Sequence, residues 1–405
     1  MNTATTSIPA HVPEDRILDY PLAARRVIYD DPYEMIAELH KRPAAYMAPN
    51  AFLGLSPGWV FRRSRDAKKI FSDTEHFMKK GSSNFAALIG EDWDSIPTEL
   101  DPPRHTAWRR VLNSLFTPER VAALEVKVRQ SARSYIEKFK DRGHCDFARE
   151  FSVPFPVSIF LDLLGLPHDR MEQFLAWEHS LIHSADFESR AVGVRAVKAY
   201  LLEAIEERRK NPTDDLISNT LRLKVDGRPV SSIEVFGHCF NLYLGGLDTV
   251  TSTIGLHFLH LARNVDQQNS LRSDPSKIPG AMNELLRAYA STSHHRTCAK
   301  EIEIGGVTLK PGDRVLLSNP LINRDPEEFD RPDEILFDRE ATNLTFGFGI
   351  HNCLGRHLAR REVQVALEEV LAALPEFRIA PGAKIPYLVG AVIHAAEIPL
   401  VWTPK

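Results

Sequence analysis

The sequence predicts a mainly α-helical protein with a minor β region, and three stretches carry that reading. Ser231 to Asn264, SSIEVFGHCFNLYLGGLDTVTSTIGLHFLHLARN, is apolar almost all round at helical spacing, as expected of a helix through the middle of a core. Leu354 to Leu374, LGRHLARREVQVALEEVLAAL, is an amphipathic helix pattern. Glu301 to Ser318, EIEIGGVTLKPGDRVLLS, alternates around Gly305 and Gly306 and reads as a hairpin.

The other elements follow in order. The chain is loop-rich to about Asp31, and PYEMIAELHKR then reads as a short helix. GWVFRRSRDAKKIF reads as a strand followed by a helix, and Lys80 to Pro103 as a loop. Arg104 to Lys210 is mainly helical, with breaks near Pro118, Gly143, Pro154 and Pro167. Ser231 and Glu234 have capping-box spacing at the start of the long helix. As one piece of about 32 residues that helix spans roughly 48 Å. PGAMNELLRAYA is a further helix. No internal repeat interrupts the pattern, and residues 1–405 read as a single domain.

Charge is nearly balanced, with 50 Lys plus Arg against 54 Asp plus Glu, and no basic block suggests nucleic acid. The start, MNTATTSIPAHVPEDR, lacks the apolar core of a signal peptide, and no run of 18 apolar residues suggests a membrane span. The expected location is the cytoplasm.

There are four cysteines, Cys145, Cys239, Cys298 and Cys353, and none has C-x-x-C spacing, which argues against zinc and dithiol redox sites. Three of them read as small buried apolar residues. Cys353 differs, because it sits in FGFGIHNCLG just before a helix. The pattern Phe346-x-x-Gly349-x-His351-x-Cys353-x-Gly355 fixes five positions. A chance match in the chain is on the order of 10⁻⁵ to 10⁻⁴. Glycines let the backbone approach a flat ligand. The free N–H groups and positive end of a helix favour thiolate over thiol. One soft charged ligand without companions suits haem iron, whose porphyrin already supplies four nitrogens, better than zinc.

These residues resemble the haem-binding signature of the cytochrome P450 family, and the resemblance covers nearly the whole chain. It implies the cytochrome P450 fold, haem b (iron protoporphyrin IX) and Cys353 as the axial iron ligand. The loop residues Phe346, Gly347 and Gly355 would line the haem. Glu284-Leu285-Leu286-Arg287 is similar to the family's E-x-x-R motif, a structural pair. NRDPEEFDRPDEILFDRE resembles the meander that follows it, but Glu334 stands where the family often has a third, arginine partner. Which residue completes the triad is left open.

Gly245-Gly246-Leu247-Asp248-Thr249 lies within the long helix. Two mid-helix glycines cost about 1 kcal/mol each relative to Ala. They mark either a close helix–helix approach or room for haem and O₂. The family resemblance implies that Asp248 and Thr249 relay protons to iron-bound oxygen. Asn241, Leu244, Gly245, Asp248, Thr249 and Ser252 share one face by 3–4 spacing. His105, Arg109, Arg296 and His351 match the family's propionate positions, and His294 or His295 are further candidates. Arginine clusters at 104, 109 and 110 and at 356, 360 and 361 suggest docking of an acidic partner. The implied partner is a two-iron, two-sulfur ferredoxin fed by an NAD(P)H-dependent reductase, with the protein itself a monomer.

GGLDTV, CLGRHLARRE, IPTELDPP and AAEIPLVW resemble the bacterial camphor hydroxylase subgroup. The implied activity is hydroxylation of a small apolar monoterpenoid, ionone-like or cineole-like compound with O₂. Expected substrate contacts are Trp93, Thr98, Asn241, Leu244, Ala391 and Val392. Trp93 stands where the camphor enzyme has a ketone-binding tyrosine, and Ser95 where it has a phenylalanine; the indole offers one N–H instead. Two alternatives are a peroxide-driven peroxygenase, which needs no Asp248–Thr249 relay, and a haem-based sensor, which would need a signalling domain.

Overall fold

The structure is a computed structural model that describes residues 7–23, 26–52, 56–83, 85–184, 186–340 and 342–404. Positions 1–6, 24 and 25 of the predicted N-terminal loop, 84 of the Lys80–Pro103 loop and 185 of the long helical region lie outside them. In chain order the main elements are strands β1 (Ala45–Phe52) and β2 (Ser56–Phe61), helix α1 (Ser64–Ser72) and strand β3 (Phe77–Met78). Helices α2 (Arg104–Leu112), α3 (Glu125–Ile136), α4 (Pro154–Leu164), α5 (Met171–Ile182), α6 (Phe187–Lys210), α7 (Ser232–Leu247), α8 (Thr249–Arg263) and α9 (Ile278–Ala288) follow. Strands β4 (Ser293–Cys298), β5 (Ile302–Ile304), β6 (Val307–Leu309) and β7 (Arg314–Ser318) precede the long helix α10 (Arg356–Ala373). The predicted helix in PYEMIAELHKR is confined to Ile36–Leu39, and the Lys80–Pro103 loop contains a short helix, Phe85–Leu88.

The chain forms two units. The first takes Met1–Lys79, Gly255–Cys353 and Glu376–Leu400. Its sheet has the order β1-β2-β7-β4-β3. Only the β2/β7 pair is parallel, with Val315 opposite Trp59. The hairpin predicted around Gly305 and Gly306 is β5/β6, paired antiparallel with Val307 opposite Ile304. Helix α1 buries Ala67, Ile70 and Phe71, one 3–4 stripe, among Trp59, Phe61, Val315 and Leu317. Ile70 and Phe71 each contribute about 1.5–3 kcal/mol by this burial.

In the same unit the E-x-x-R pair closes into a triad. Glu284 and Arg287 are each 1 % exposed, and their side chains form two 2.8 Å bonds. The third partner is Arg339, whose Nε donates to Glu284 Oε1 at 3.0 Å. The Leu336 N–H donates to the same oxygen at 3.0 Å. Burial alone would raise the Glu284 carboxyl, but the bonds from Arg287, Leu336 and Arg339 outweigh it and hold it below the usual range. Glu334 offers only its backbone carbonyl to Arg287, at 3.1 Å, while its carboxylate pairs with exposed Arg331.

The second unit takes Lys80–Ile254, Leu354–Pro375 and Val401–Lys405. It is a helical core in which Phe236, Phe240, Tyr243 and Leu247 of α7 pack with Leu161 and Leu164 of α4 and with Val194, Val197 and Leu201 of α6. The capping box at the start of α7 is present in both directions, with the Glu234 N–H donating to Ser231 Oγ and the Ser231 N–H donating to Glu234 Oε2 at 2.8 Å. Asp186 and Asp215 cap α6 and the short helix Leu216–Leu221 by accepting from the Ser189 and Ser218 N–H groups.

The single long helix expected over Ser231–Asn264 is two helices, α7 and α8, with the break at Asp248 (φ −107°, ψ −35°). Side-chain hydroxyls account for it. Thr249 Oγ1 donates to the Gly245 carbonyl at 2.9 Å, and Thr251 Oγ1 and Ser252 Oγ both donate to the Asp248 carbonyl at 2.7 Å. Hydroxyls that take backbone carbonyls compete with the helix ladder and bend it. Among the described residues, no helix is long and apolar enough to cross a membrane.

Candidate active site

The cysteine loop belongs to the first unit. The Gly347 N–H donates to Leu344 O and the Cys353 N–H to Phe346 O, both at 2.8 Å, so the loop folds back on itself before α10. Asn352 Nδ2 fastens it to Gly347 O at 3.1 Å. Gly349 has φ +69°, and a Cβ there would lie 2.7 Å from the Phe71 carbonyl, so both conformation and space require glycine. Cys353 is exposed, while Cys145, Cys239 and Cys298 are buried. Burial pushes the Cys239 thiol up to about 12 and the Cys298 thiol up to about 11, which leaves both inert. Phe348 and Ile350 are also exposed, an apolar rim on the loop.

In the same unit, Arg296 is 3 % exposed, donates to His295 O at 2.9 Å and lies over the Phe71 ring at 5.2 Å. His294 packs edge-on to that ring and lies 3.0 Å from Asn319 Nδ2. Burial, followed by the charges of Lys79 and Arg296, lowers the His294 imidazole to about 3, so it is neutral. His351 ends the 3₁₀ turn Gly349–His351. Val392 is buried and pairs with Thr292, and Ala391 is half-buried beside it.

In the second unit, His105 and Arg109 lie on α2, the histidine buried. The two mid-helix glycines of α7 separate in role. A Cβ on Gly246 would meet the Phe160 ring at 2.3 Å, a close helix approach, whereas one on Gly245 would enter open space. The stripe predicted on this helix also divides: Asn241, Leu244 and Thr249 are half-buried and Gly245 exposed, while Asp248 and Ser252 are buried. Asp248 is anchored: its Oδ2 lies 3.0 Å from His183 Nε2 and its Oδ1 3.3 Å from Ser252 Oγ. The histidine side chain is 5 % exposed and the Asp248 side chain 10 %.

Trp93 is 7 % exposed, with its ring edge-on to Phe236 and Phe240 at 4.8 Å. Its indole N–H donates to Glu91 Oε2 at 2.9 Å, and Lys198 holds the same oxygen. The N–H expected to face substrate is therefore engaged, and Trp93 presents apolar surface. The loop carrying it is tied to α7 by the Ile96 N–H to Gly237 O at 3.1 Å and by His238 Nδ1 at 3.1 Å from Ile96 O. Ser95 is buried, its N–H on Glu99 Oε2 at 2.9 Å, and Thr98 is exposed. The sequence reading missed His183, Arg339 and the buried Glu178. Local sequence held no signal for His183, whose contact with Asp248 joins residues 65 apart in the chain.

The donor chemistry fits haem: the first unit offers one exposed thiol on a self-bonded glycine loop and a buried arginine, and in the second unit α7 leaves open space at Gly245. Donors of these kinds are those of a haem-thiolate oxygenase. Comparison with known proteins agrees. The cytochrome P450 family profile matches residues 166–386. The probable cytochrome P450 127A1 of Sinorhizobium fredii is 37 % identical over 98 % of this chain and 97 % of its own. The 6-deoxyerythronolide B hydroxylase of Saccharopolyspora erythraea is 32 % identical over 87 % of this chain and 91 % of its own. Among solved structures, cytochrome P450 CYP101C1 superposes with a TM-score of 0.87 at 33 % identity, covering 98 % of this chain and 100 % of that one. CYP101J2 gives 0.86 at 32 % identity, with the same coverage. The chain belongs to the cytochrome P450 family. It is a P450 monooxygenase, and its family binds haem b through a cysteine thiolate.

Proposed function

We propose that this enzyme, read as one P450 domain over its whole length, hydroxylates a small terpenoid or norisoprenoid in the manner of the camphor hydroxylase subgroup. The observation that carries the reading is the helix break at Asp248. There Thr249 Oγ1 donates to the Gly245 carbonyl in place of the regular helix ladder, with the buried Asp248 carboxylate next to it in sequence, in a chain whose fold matches two CYP101 enzymes.

When bound, haem b supplies the iron at which O₂ is activated. Cys353 would hold that iron, and Arg296, His351, His105 and Arg109 would meet the propionates with cationic or N–H groups. Asp248 holds and releases protons at Oδ1 and Oδ2, and Thr249 Oγ1 passes them on; a positioned acid must reach its target directly or through one water. Trp93, Phe236 and Phe240 offer an apolar wall, and Asn241 and Leu244 lie half-buried on the same helix as the relay. Such a surface suits a compact, mostly hydrocarbon substrate.

Electrons would come from a ferredoxin and its NAD(P)H-dependent reductase. The arginines proposed to receive it are unequally engaged: Arg104 pairs with Asp94 at 3.0 Å and Arg361 with Glu125 at 2.9 Å. On Arg360, burial and then the charge of Arg356 lower the guanidinium's proton affinity.

The test is a screen of monoterpenoids, ionones and cineole for the optical spin-state shift, followed by turnover with ferredoxin, reductase and NADH. Reduced protein with CO should absorb near ~450 nm, as cysteine thiolate ligation dictates. Retention of that band by Cys353→Ala, or turnover with peroxide alone but none with NADH, refutes the reading.

A further inference from the structure

The segment that carries Trp93 is fixed by its backbone at both ends. The Glu91 N–H donates to Ala86 O at 3.0 Å and the Ile96 N–H to Gly237 O at 3.1 Å. A Cβ on Gly237 would run into the Asp94 carbonyl oxygen, so the segment lies directly on α7. Trp93 packs there edge-on to Phe236 and Phe240, each at 4.8 Å. Its indole has one polar atom, and that N–H donates to Glu91 Oε2 at 2.9 Å. Lys198, reaching across from α6, pairs with the same oxygen, and its ammonium lies 6.0 Å from the centre of the Phe236 ring. The lysine side chain is 20 % exposed and the Glu91 side chain 37 %. The other acids of the segment are engaged elsewhere: Asp94 pairs with Arg104, and Glu99 accepts from the Ser83 and Ser95 N–H groups.

Hydrogen bonds to a carboxylate are roughly twice as strong as those between neutral groups. A substrate ketone is a neutral acceptor, so it cannot draw the indole N–H away from Glu91. A carbonyl pressed against this wall would lose its water and gain no bond, which selects against it. We propose that Glu91, held by Lys198, is a specificity-determining residue of this enzyme. It positions Trp93 so that no donor faces the substrate, and the enzyme thereby prefers terpenoids whose end against Trp93 is hydrocarbon. Glu91 acts through Trp93 and touches neither substrate nor cofactor. This rests on the reading, given above, that Trp93 lines the substrate pocket.

The experiment titrates the holoenzyme by the optical spin-state shift as wild type, Glu91→Ala, Glu91→Gln, Trp93→Leu and the double variant Glu91→Ala with Trp93→Phe. The probe is camphor, read against camphane, the same carbon frame without the ketone. Wild type should bind camphane at least as tightly as camphor. Glu91→Ala leaves the indole free to turn its N–H to the ketone, so camphor should gain roughly two- to tenfold relative to camphane, the worth of one neutral hydrogen bond. The gain should vanish in the double variant, which has no indole. Glu91→Gln restores a side-chain acceptor of the same reach and should return the ratio to within about twofold of wild type.

A merely structural Glu91 would shift both ligands together. A camphor-to-camphane ratio that does not move in Glu91→Ala therefore overturns the proposal, as does an equal gain in the double variant. If Trp93→Leu changes both affinities by about threefold or more while Glu91→Ala keeps the ratio, Glu91 alone is misassigned. If Trp93→Leu leaves both affinities unchanged, or neither compound shifts the haem spectrum, the pocket reading falls and this proposal with it.

Discussion

Replacing each member of the buried ion cluster in turn ranks its partners. Arg287→Ala strips two bonds from a carboxylate that is 1 % exposed and leaves it only Arg339 and the Leu336 N–H, and breaking a buried pair in this way costs about 3–5 kcal/mol. Arg339→Ala removes one charge-assisted bond at 3.0 Å from a carboxylate that Arg287 and the Leu336 N–H still satisfy, so about 1.5–3 kcal/mol is expected. Glu334→Ala leaves its backbone carbonyl on Arg287 and loses only an exposed pair with Arg331, worth about 0–1 kcal/mol. Urea unfolding of the haem-loaded protein, followed by the CO band and by helical circular dichroism, measures all three. The order Arg287, Arg339, Glu334 is the prediction. Equal losses for Glu334→Ala and Arg339→Ala would refute Arg339 as the third partner. Because the Glu284 carboxyl lies below its unfolded value, its contribution is complete above about pH 4.3 and disappears as pH falls through the folded pKa.

Three other outcomes follow from the same geometry. Asp248→Asn should leave substrate binding intact and slow turnover roughly 10²-fold, with the binding titration and steady-state rate measured together; an unchanged rate rejects the acid role. Trp93→Phe should keep the apolar wall and lose only the bond to Glu91, so the probe's affinity should stay within about threefold, whereas Trp93→Ala should cost about 3–5 kcal/mol of stability. A large affinity loss in Trp93→Phe would restore the indole N–H as a substrate donor. Burial lowers His238 and His260 to about 4 and His257 to about 3. Their folded pKa values lie below the unfolded value of about 6.5, so the unfolded chain binds more protons between them and stability is lost as pH falls. Each contributes up to about 1.4 kcal/mol per pH unit below about pH 6.5, and a urea midpoint flat from about pH 7 to pH 5 contradicts this.

Local and periodic signals were legible in the sequence. The capping box at Ser231, the β5/β6 hairpin, the E-x-x-R pair and the cysteine loop all depend on residues close in the chain, and each lies where its spacing placed it. The long central helix was misread as unbroken because apolar periodicity continues through Asp248. The break depends on where three hydroxyls donate, which periodicity does not encode. The mid-helix glycines illustrate the same limit, since only packing separates Gly246, against Phe160, from Gly245, facing open space. Trp93 was expected to offer its indole N–H to substrate, and the N–H partner Glu91, two residues away, was overlooked. His183 and Arg339 came from contacts that only the fold creates.

The unequal burial of the four thiols gives the protein a built-in gauge of its own loading. Three thiols are shut away from reagents and from ionisation, and one lies exposed on the loop that would hold iron. A gentle thiol titration of the folded enzyme thus counts empty molecules one by one. Mild oxidants should injure the empty protein at that same single point, making cofactor supply a form of chemical protection.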